Sequence, residues 1–241
     1  MQKNPPRPVP LVRMHRAALF DAGDTLVHWG VHKRERFAWL CQQAGVTLPA
    51  DDAACLTAAR VAERFFYTHL NRPDSWTMEW WTELIGVGLA ELGLPADLAA
   101  GIASHRGSLP DTWWLDPDAV PLLTSLRRRG YKIGLVSNWD GTLAALCAEW
   151  GLTEHVDYIG DSTVFGERKP SVAFFRHVLD QLGVAPEAAF HVGDTYDADV
   201  AGARAAGITP VLLDSLGCEE RTCDYRIAGL GEVLAVIDCL A

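Results

Sequence analysis

The chain has 241 residues, enough for one large α/β unit or for a core with a smaller companion, and its 49% hydrophobic and 22% charged residues are ordinary for a globular protein. A formal net charge of −10 excludes a nucleic-acid backbone as partner, which needs a basic stripe, but still admits a small phosphorylated molecule held by local cations. No apolar run is long enough to span a bilayer or follows the N-terminal charges as a secretory signal would. Cys41, Cys55, Cys147, Cys218, Cys223 and Cys239 show no zinc-site spacing, so the expectation is reduced thiols, a cytoplasmic location and no membrane partner.

In chain order, residues 1–14 carry four prolines and read as a flexible leader. Ala17–Phe20 is a short apolar run stopped by a Gly-containing turn, the pattern of a buried strand. From 28 to 115 the periodicity is helical throughout: Phe37, Leu40, Cys41 and Ala44 close at Gly45, a second helix covers Ala54–Leu70, and Met78–Leu92 ends at Gly93. After 115 helices and strands alternate. Ala119–Arg129 is a helix and Lys132–Val136 a strand; Gly141–Trp150 is a helix and Val156–Ile159 a strand. Pro170–Leu182, with Pro in its first turn and Gly183 after it, is a helix before the strand Ala188–Val192. Ala198–Ala206 and Thr209–Leu213 complete the alternation.

Single helices between strands make βαβ units, hence a parallel sheet covered on both faces. The early strand needs the later block for its partners, so the helical stretch is an insertion. The fold expected is α/β, a Rossmann-like three-layer core of residues 15–27 and 116–241 with an all-α cap, 28–115, inserted into it.

Ligands of parallel sheets sit beyond the carboxyl ends of the strands. There the sequence places Asp21, Ser137-Asn138, Lys169-Pro170, and Gly193-Asp194 with Asp199 five residues on. Leu19-Phe20-Asp21-Ala22-Gly23-Asp24-Thr25-Leu26, Leu135-Val136-Ser137-Asn138, Arg168-Lys169-Pro170 and His191-Val192-Gly193-Asp194-Thr195-Tyr196-Asp197-Ala198-Asp199 resemble, in order, the four motifs of the haloacid dehalogenase-like hydrolases of the helical-cap type. Ser137-Asn138-Trp139-Asp140 and the Trp80-Trp81 pair also resemble the rhythmically-expressed-gene-2-like branch.

The resemblance implies a Mg²⁺-dependent phosphatase acting on a small phosphorylated metabolite. Asp21 would be the nucleophile forming an aspartyl-phosphate, with Ser137 and Lys169 assisting. Asn138 would contact substrate, and Asp21, the Gly23 carbonyl, Asp194 and Asp199 would hold the metal, Asp199 directly or through water. One position departs from the pattern. Most phosphatases of this family carry an acid–base aspartate two residues after the nucleophile, where this chain has Gly23; its aspartate is Asp24, expected mainly to stabilise the turn. One further reading follows, a phosphate-binding protein that has lost turnover. Dehalogenases and phosphonate-cleaving members of the family also lack that aspartate, but the former usually lack a motif like Gly193-Asp194 and the latter use a cap lysine, for which the insert offers only Lys33, so neither chemistry fits well. A receiver-type signalling domain is excluded by length and by the order of its acidic residues. Asp197 is expected to cap a helix. Trp76, Trp80 and Trp81 are expected as core between cap helices, with a substrate lid as the alternative; His28 and Trp29 fall at the hinge.

Overall fold

Ala17–Phe20 (β1) has no exposed residue, because it is the central strand of a parallel sheet. A computed structural model describes residues 17–69, 72–217 and 219–240; the expected leader lies outside them, as does Cys218. The cysteines Cys41, Cys55, Cys147, Cys223 and Cys239 are free thiols.

After β1 come Val27–Trp29 (β2), Lys33–Gln43 (α1), Asp52–His69 (α2), Met78–Glu91 (α3), Leu98–Ser104 (α4) and Trp113–Leu115 (β3). The alternating half follows: Ala119–Arg128 (α5), Lys132–Ser137 (β4), Leu143–Glu149 (α6), Tyr158–Asp161 (β5), Ser162–Phe165 (α7), Val172–Leu182 (α8) and Ala189–Gly193 (β6). A π-helical turn, Tyr196–Ala201, leads into Gly202–Ala206 (α9), then Thr209–Leu213 (β7), Arg226–Ile227 (β8) and Val233–Leu240 (α10).

The six strands lie in the order β5-β4-β1-β6-β7-β8, every pair parallel. Side chains alternate across β1. Ala18 and Phe20 join a core with Leu122, Leu126, Leu143 and Ile237 from α5, α6 and α10. Ala17 and Leu19 face Phe174, Phe175 and Val178 of α8 and Ala203 of α9. Helix α8 sits close on the sheet: a Cβ at Gly134 or Gly160 would come within 2.9 or 2.7 Å of Val178. The three-layer α/β architecture is the one the alternation predicts.

Helices α1–α4 bury their apolar faces against one another, around Phe37, Leu40, Phe66, Trp80, Trp81 and Ile85. Trp80 and Trp81 are core, as expected, whereas Trp76 is 52% exposed and only leans on Phe66 and the other two indoles. Residues 28–115 are not wholly helical. Where the chain leaves and re-enters the sheet unit, β2 and β3 pair antiparallel, His28 opposite Trp114 and Trp29 opposite Trp113. Strands of three residues have no readable period, which is why helix was expected there.

Candidate active site

The carboxyl ends of β1, β4 and β6 meet at one rim, because these are neighbours in the sheet. Asp21 follows β1, its N–H donating to Val192 O at 2.9 Å and so extending the ladder by one residue. The chain then curls back, with the N–H groups of Leu26 and Val27 donating to Ala22 O at 2.9 and 3.0 Å. Asp24 takes the left-handed conformation this turn requires, φ +51°.

Asp21 Oδ1 accepts from Ser137 Oγ at 2.8 Å and from Lys169 Nζ at 2.7 Å. Lys169 is 4% exposed, and its ammonium also reaches Asp199 Oδ1 at 2.6 Å. The loop carrying it is clamped by Asn138: the Lys169 N–H donates to Asn138 Oδ1 at 2.7 Å, and Asn138 Nδ2 donates back to Lys169 O at 3.2 Å. Asn138 thus positions the Lys169 loop and also lines the groove beside it.

Asp199, in the π-helical turn, is 1% exposed and has both oxygens engaged. Oδ1 accepts from Lys169 and lies 2.8 Å from His191 Nε2, and Oδ2 accepts from the Thr195 N–H at 3.0 Å. Gly193 is what lets this carboxylate in, since a Cβ there would be 2.2 Å from Asp199 Cγ. Asp194, by contrast, is met from the helical block. Its Oδ2 accepts from Lys33 Nζ of α1 at 2.9 Å and from the Tyr67 hydroxyl of α2 at 2.7 Å. Asp24 lies in the same seam, 3.3 Å from the Tyr67 hydroxyl, 3.6 Å from His28 Nδ1 and 3.7 Å from Arg36, which in turn holds Glu63 at 3.2 Å.

The electrostatics follow from burial. Burial, with Asp199 and Asp194 nearby, outweighs the pull of Lys169 and lifts the Asp21 carboxyl to about 7. Burial likewise raises Asp194 in spite of Lys33. Burial opposes ionisation of Asp199 too, but Lys169 and the His191 hydrogen bond hold it well below the ordinary carboxylate range. Burial also works against the charge on Asp24, which His28, Arg36 and Lys33 overcome, leaving it firmly ionised.

Oxygens of Asp21, Asp194 and Asp199 lie within 4.8 Å of one another. Three carboxylates face two ammonium groups, Lys169 and Lys33, so the cluster carries one more negative than positive group when all are ionised. Hard oxygen donors with surplus charge are what a small divalent cation requires, so the residues fit one. Asp199 also holds the Lys169 ammonium. Asp197 lies apart, paired with Arg221 at 2.6 Å on the surface.

A family model described as haloacid dehalogenase-like hydrolase matches residues 15–207. The chain belongs to that family. Haloacid dehalogenase-like hydrolase domain-containing protein 3 of Mus musculus is 28% identical over 237 residues, covering 93% of this chain and 94% of that protein. A phosphoglycolate phosphatase of Rhodospirillum rubrum is 32% identical over 242 residues, covering 95% and 89%. Among solved structures, a HAD phosphatase from Thermococcus onnurineus superposes with a TM-score of 0.57 at 25% identity, covering 92% of this chain and 97% of that one. Membership makes this haloacid dehalogenase-like protein a hydrolase with phosphatase relatives. Among the described residues no helix is long and apolar enough to cross a membrane.

Sequence reasoning missed the contribution of the helical block. The buried positions of α1 are Lys33, Arg36, Phe37, Leu40 and Cys41, an i, i+3, i+4, i+7, i+8 stripe with two cations at its start. Charges on the apolar face of a helix are the signal that could have found them.

Proposed function

We propose that this hydrolase is a Mg²⁺-dependent phosphatase that cleaves a small phosphorylated metabolite through an aspartyl-phosphate on Asp21. The supporting observation is the pairing of the Asp21 carboxylate, at the rigid end of the central strand, with the Lys169 ammonium and the Ser137 hydroxyl on one oxygen. Those two donors leave Oδ2 as the attacking oxygen and hold the carboxyl in place. Lys169 lowers the charge density facing an incoming phosphoryl group, Ser137 supplies a donor at the same edge, and Asp199 with His191 fixes the ammonium between the two carboxylates. Asp21, Asp194 and the Gly23 carbonyl would hold the cation, with Asp199 beside them. When bound, Mg²⁺ supplies a Lewis-acid charge for the phosphoryl oxygens.

Helices α1–α4, residues 28–115 together with their ribbon, serve in this reading as a cap that excludes water over the site. The substrate is small and anionic, and the acidic chain has neither nucleic acid nor membrane as partner; a cytoplasmic location agrees with this. Phosphonate cleavage through a lysine Schiff base is disfavoured, because Asp194 stabilises Lys33 as an ammonium against its burial and leaves no free amine.

The competing reading, a phosphate-binding protein without turnover, rests on Gly23. One experiment separates them. Turnover of a panel of phosphate compounds with Mg²⁺ is measured for the wild type and Asp21→Asn. The proposal expects Mg²⁺-dependent turnover in the wild type and a loss of roughly 1,000-fold or more in the variant. Equal residual rates in both would overturn the catalytic assignment.

A further inference from the structure

The seam around Asp24 also bears on what can leave from this site. At the place of the missing acid, Gly23 has no side chain, and an added Cβ would lie 3.4 Å from Cζ3 of Trp139 and 4.0 Å from Cη2 of Trp113. The two indoles pack together there, centroids 4.8 Å apart and planes tilted by 50°. Trp139 is pinned by its backbone N–H to Ser162 Oγ and its Nε1 to Thr142 Oγ1, both at 3.1 Å. Trp113 ends the ribbon and is 36% exposed. Both line an open groove of about 730 Å³ that also borders Asn138 and Arg168, the chain neighbours of Ser137 and Lys169.

The neighbouring groups that carry protons are turned elsewhere. Asp24 is ringed by His28, Arg36 and Tyr67. His28 lies with Nε2 3.0 Å from Asp116 and Nδ1 toward Asp24, while Tyr67 and Lys33 donate to Asp194. A poor leaving group would depart without the proton it needs, whereas a stable oxyanion needs none.

Resting on the phosphatase reading, we infer that the substrate is an aryl phosphate, whose ring stacks against Trp113 and Trp139 and leaves as an unprotonated aryloxide. In the first step an Asp21 oxygen bonds to phosphorus and the phosphorus–oxygen bond to the ring breaks, its electron pair staying on the aryloxide, which takes a proton from solvent outside the site. In the second step a water oxygen bonds to phosphorus as the phosphorus–oxygen bond to Asp21 breaks, restoring the carboxylate; one water proton stays on the released phosphate and the other passes to solvent, offsetting the one taken by the aryloxide. Flat apolar side chains at the mouth of a site are favourable surfaces for such a ring.

The test compares 4-nitrophenyl phosphate, phenyl phosphate, glycerol phosphate and acetyl phosphate with Mg²⁺, for the wild type, Trp139→Ala, Trp139→Phe and Gly23→Asp. Wild-type kcat/KM is expected to fall steeply with leaving-group pKa, the alkyl ester trailing the aryl esters by roughly 100- to 10,000-fold. Trp139→Ala should lower the preference for aryl over acetyl phosphate roughly 3- to 10-fold, and Trp139→Phe should keep most of it. Gly23→Asp should narrow the gap between glycerol phosphate and the aryl esters. Alkyl and aryl esters turned over equally fast, or an aryl preference untouched in folded Trp139→Ala, would overturn the inference while leaving a phosphatase. No Mg²⁺-dependent turnover of any of the four, acetyl phosphate included, would instead overturn the phosphatase reading on which it rests.

Discussion

His28 shows how one side chain ties the turn after the nucleophile to the ribbon. It is 2% exposed, within 3.0 Å of Asp116 and 3.6 Å of Asp24, and ring-packed on Trp114 at 4.5 Å. Burial favours the neutral ring, but the hydrogen bond to Asp116 and the Asp24 carboxylate close to Nδ1 prevail and raise its pKa above the ordinary 6.5. A folded-state pKa raised above the unfolded one means that the charged ring contributes stability fully below pH 6.5 and loses it as pH rises through the higher folded value. Urea unfolding of the wild type across that range is therefore expected to show a decline that His28→Gln lacks. An equal slope in both proteins would refute the coupling. Asp24 was legible as a turn residue, but its partners were not. His28 is four residues away, whereas Arg36 and Tyr67 come from helices whose approach no local pattern encodes.

At the scale of elements, the helical block is a unit with its own interior. Trp80 is fully buried at its centre, edge-on to Trp81 at 5.3 Å and to Phe66 at 5.5 Å. Gly88 of α3 yields to the Phe37 ring, which would come within 2.4 Å of a Cβ, so α1 and α3 approach closely there. Trp80→Ala is expected to cost about 3–5 kcal/mol, read by urea unfolding, with hydrogen exchange accelerated in α2 and α3 before the sheet. A loss below about 1 kcal/mol would show that the interior is not organised on this ring. Helices were legible because their apolar stripes are long. The ribbon, the two-residue β8 and the π-helical turn were not, since each is set by its tertiary partners. The strand expected at Val156–Ile159 lies at Tyr158–Asp161 instead, where its ladder with β4 fixes the register.

Across the whole molecule, the helical block grips the rim of the sheet through cations. Arg34 donates its Nε to Ser215 O at 2.7 Å, Arg60 donates to Leu216 O, and Arg64 meets Glu220 at 2.6 Å. Lys33 reaches deepest, to Asp194. Removing it strands a buried carboxylate, so Lys33→Met is expected to cost about 3 kcal/mol in metal-free protein. Mg²⁺ should recover much of that by supplying the missing charge, raising the Tm of the variant more than that of the wild type. Equal Mg²⁺-induced shifts would show that Lys33 and the metal do not share Asp194. The four strand-end motifs were legible because a parallel sheet converts strand order into proximity, and the structure does bring Asp21, Ser137, Lys169 and Asp194 to one rim. Lys33 was not, because its partner lies 161 residues away and only the docking of α1 on the sheet unit joins them.

A covalent phospho-enzyme on Asp21 is detectable by mass analysis of the acid-quenched protein during turnover of 4-nitrophenyl phosphate with Mg²⁺. One phosphoryl group is expected on the peptide containing Asp21, lost on treatment with hydroxylamine and absent from Asp21→Asn. A wild-type protein that turns over substrate yet carries no such group, or carries it on another residue, would contradict it.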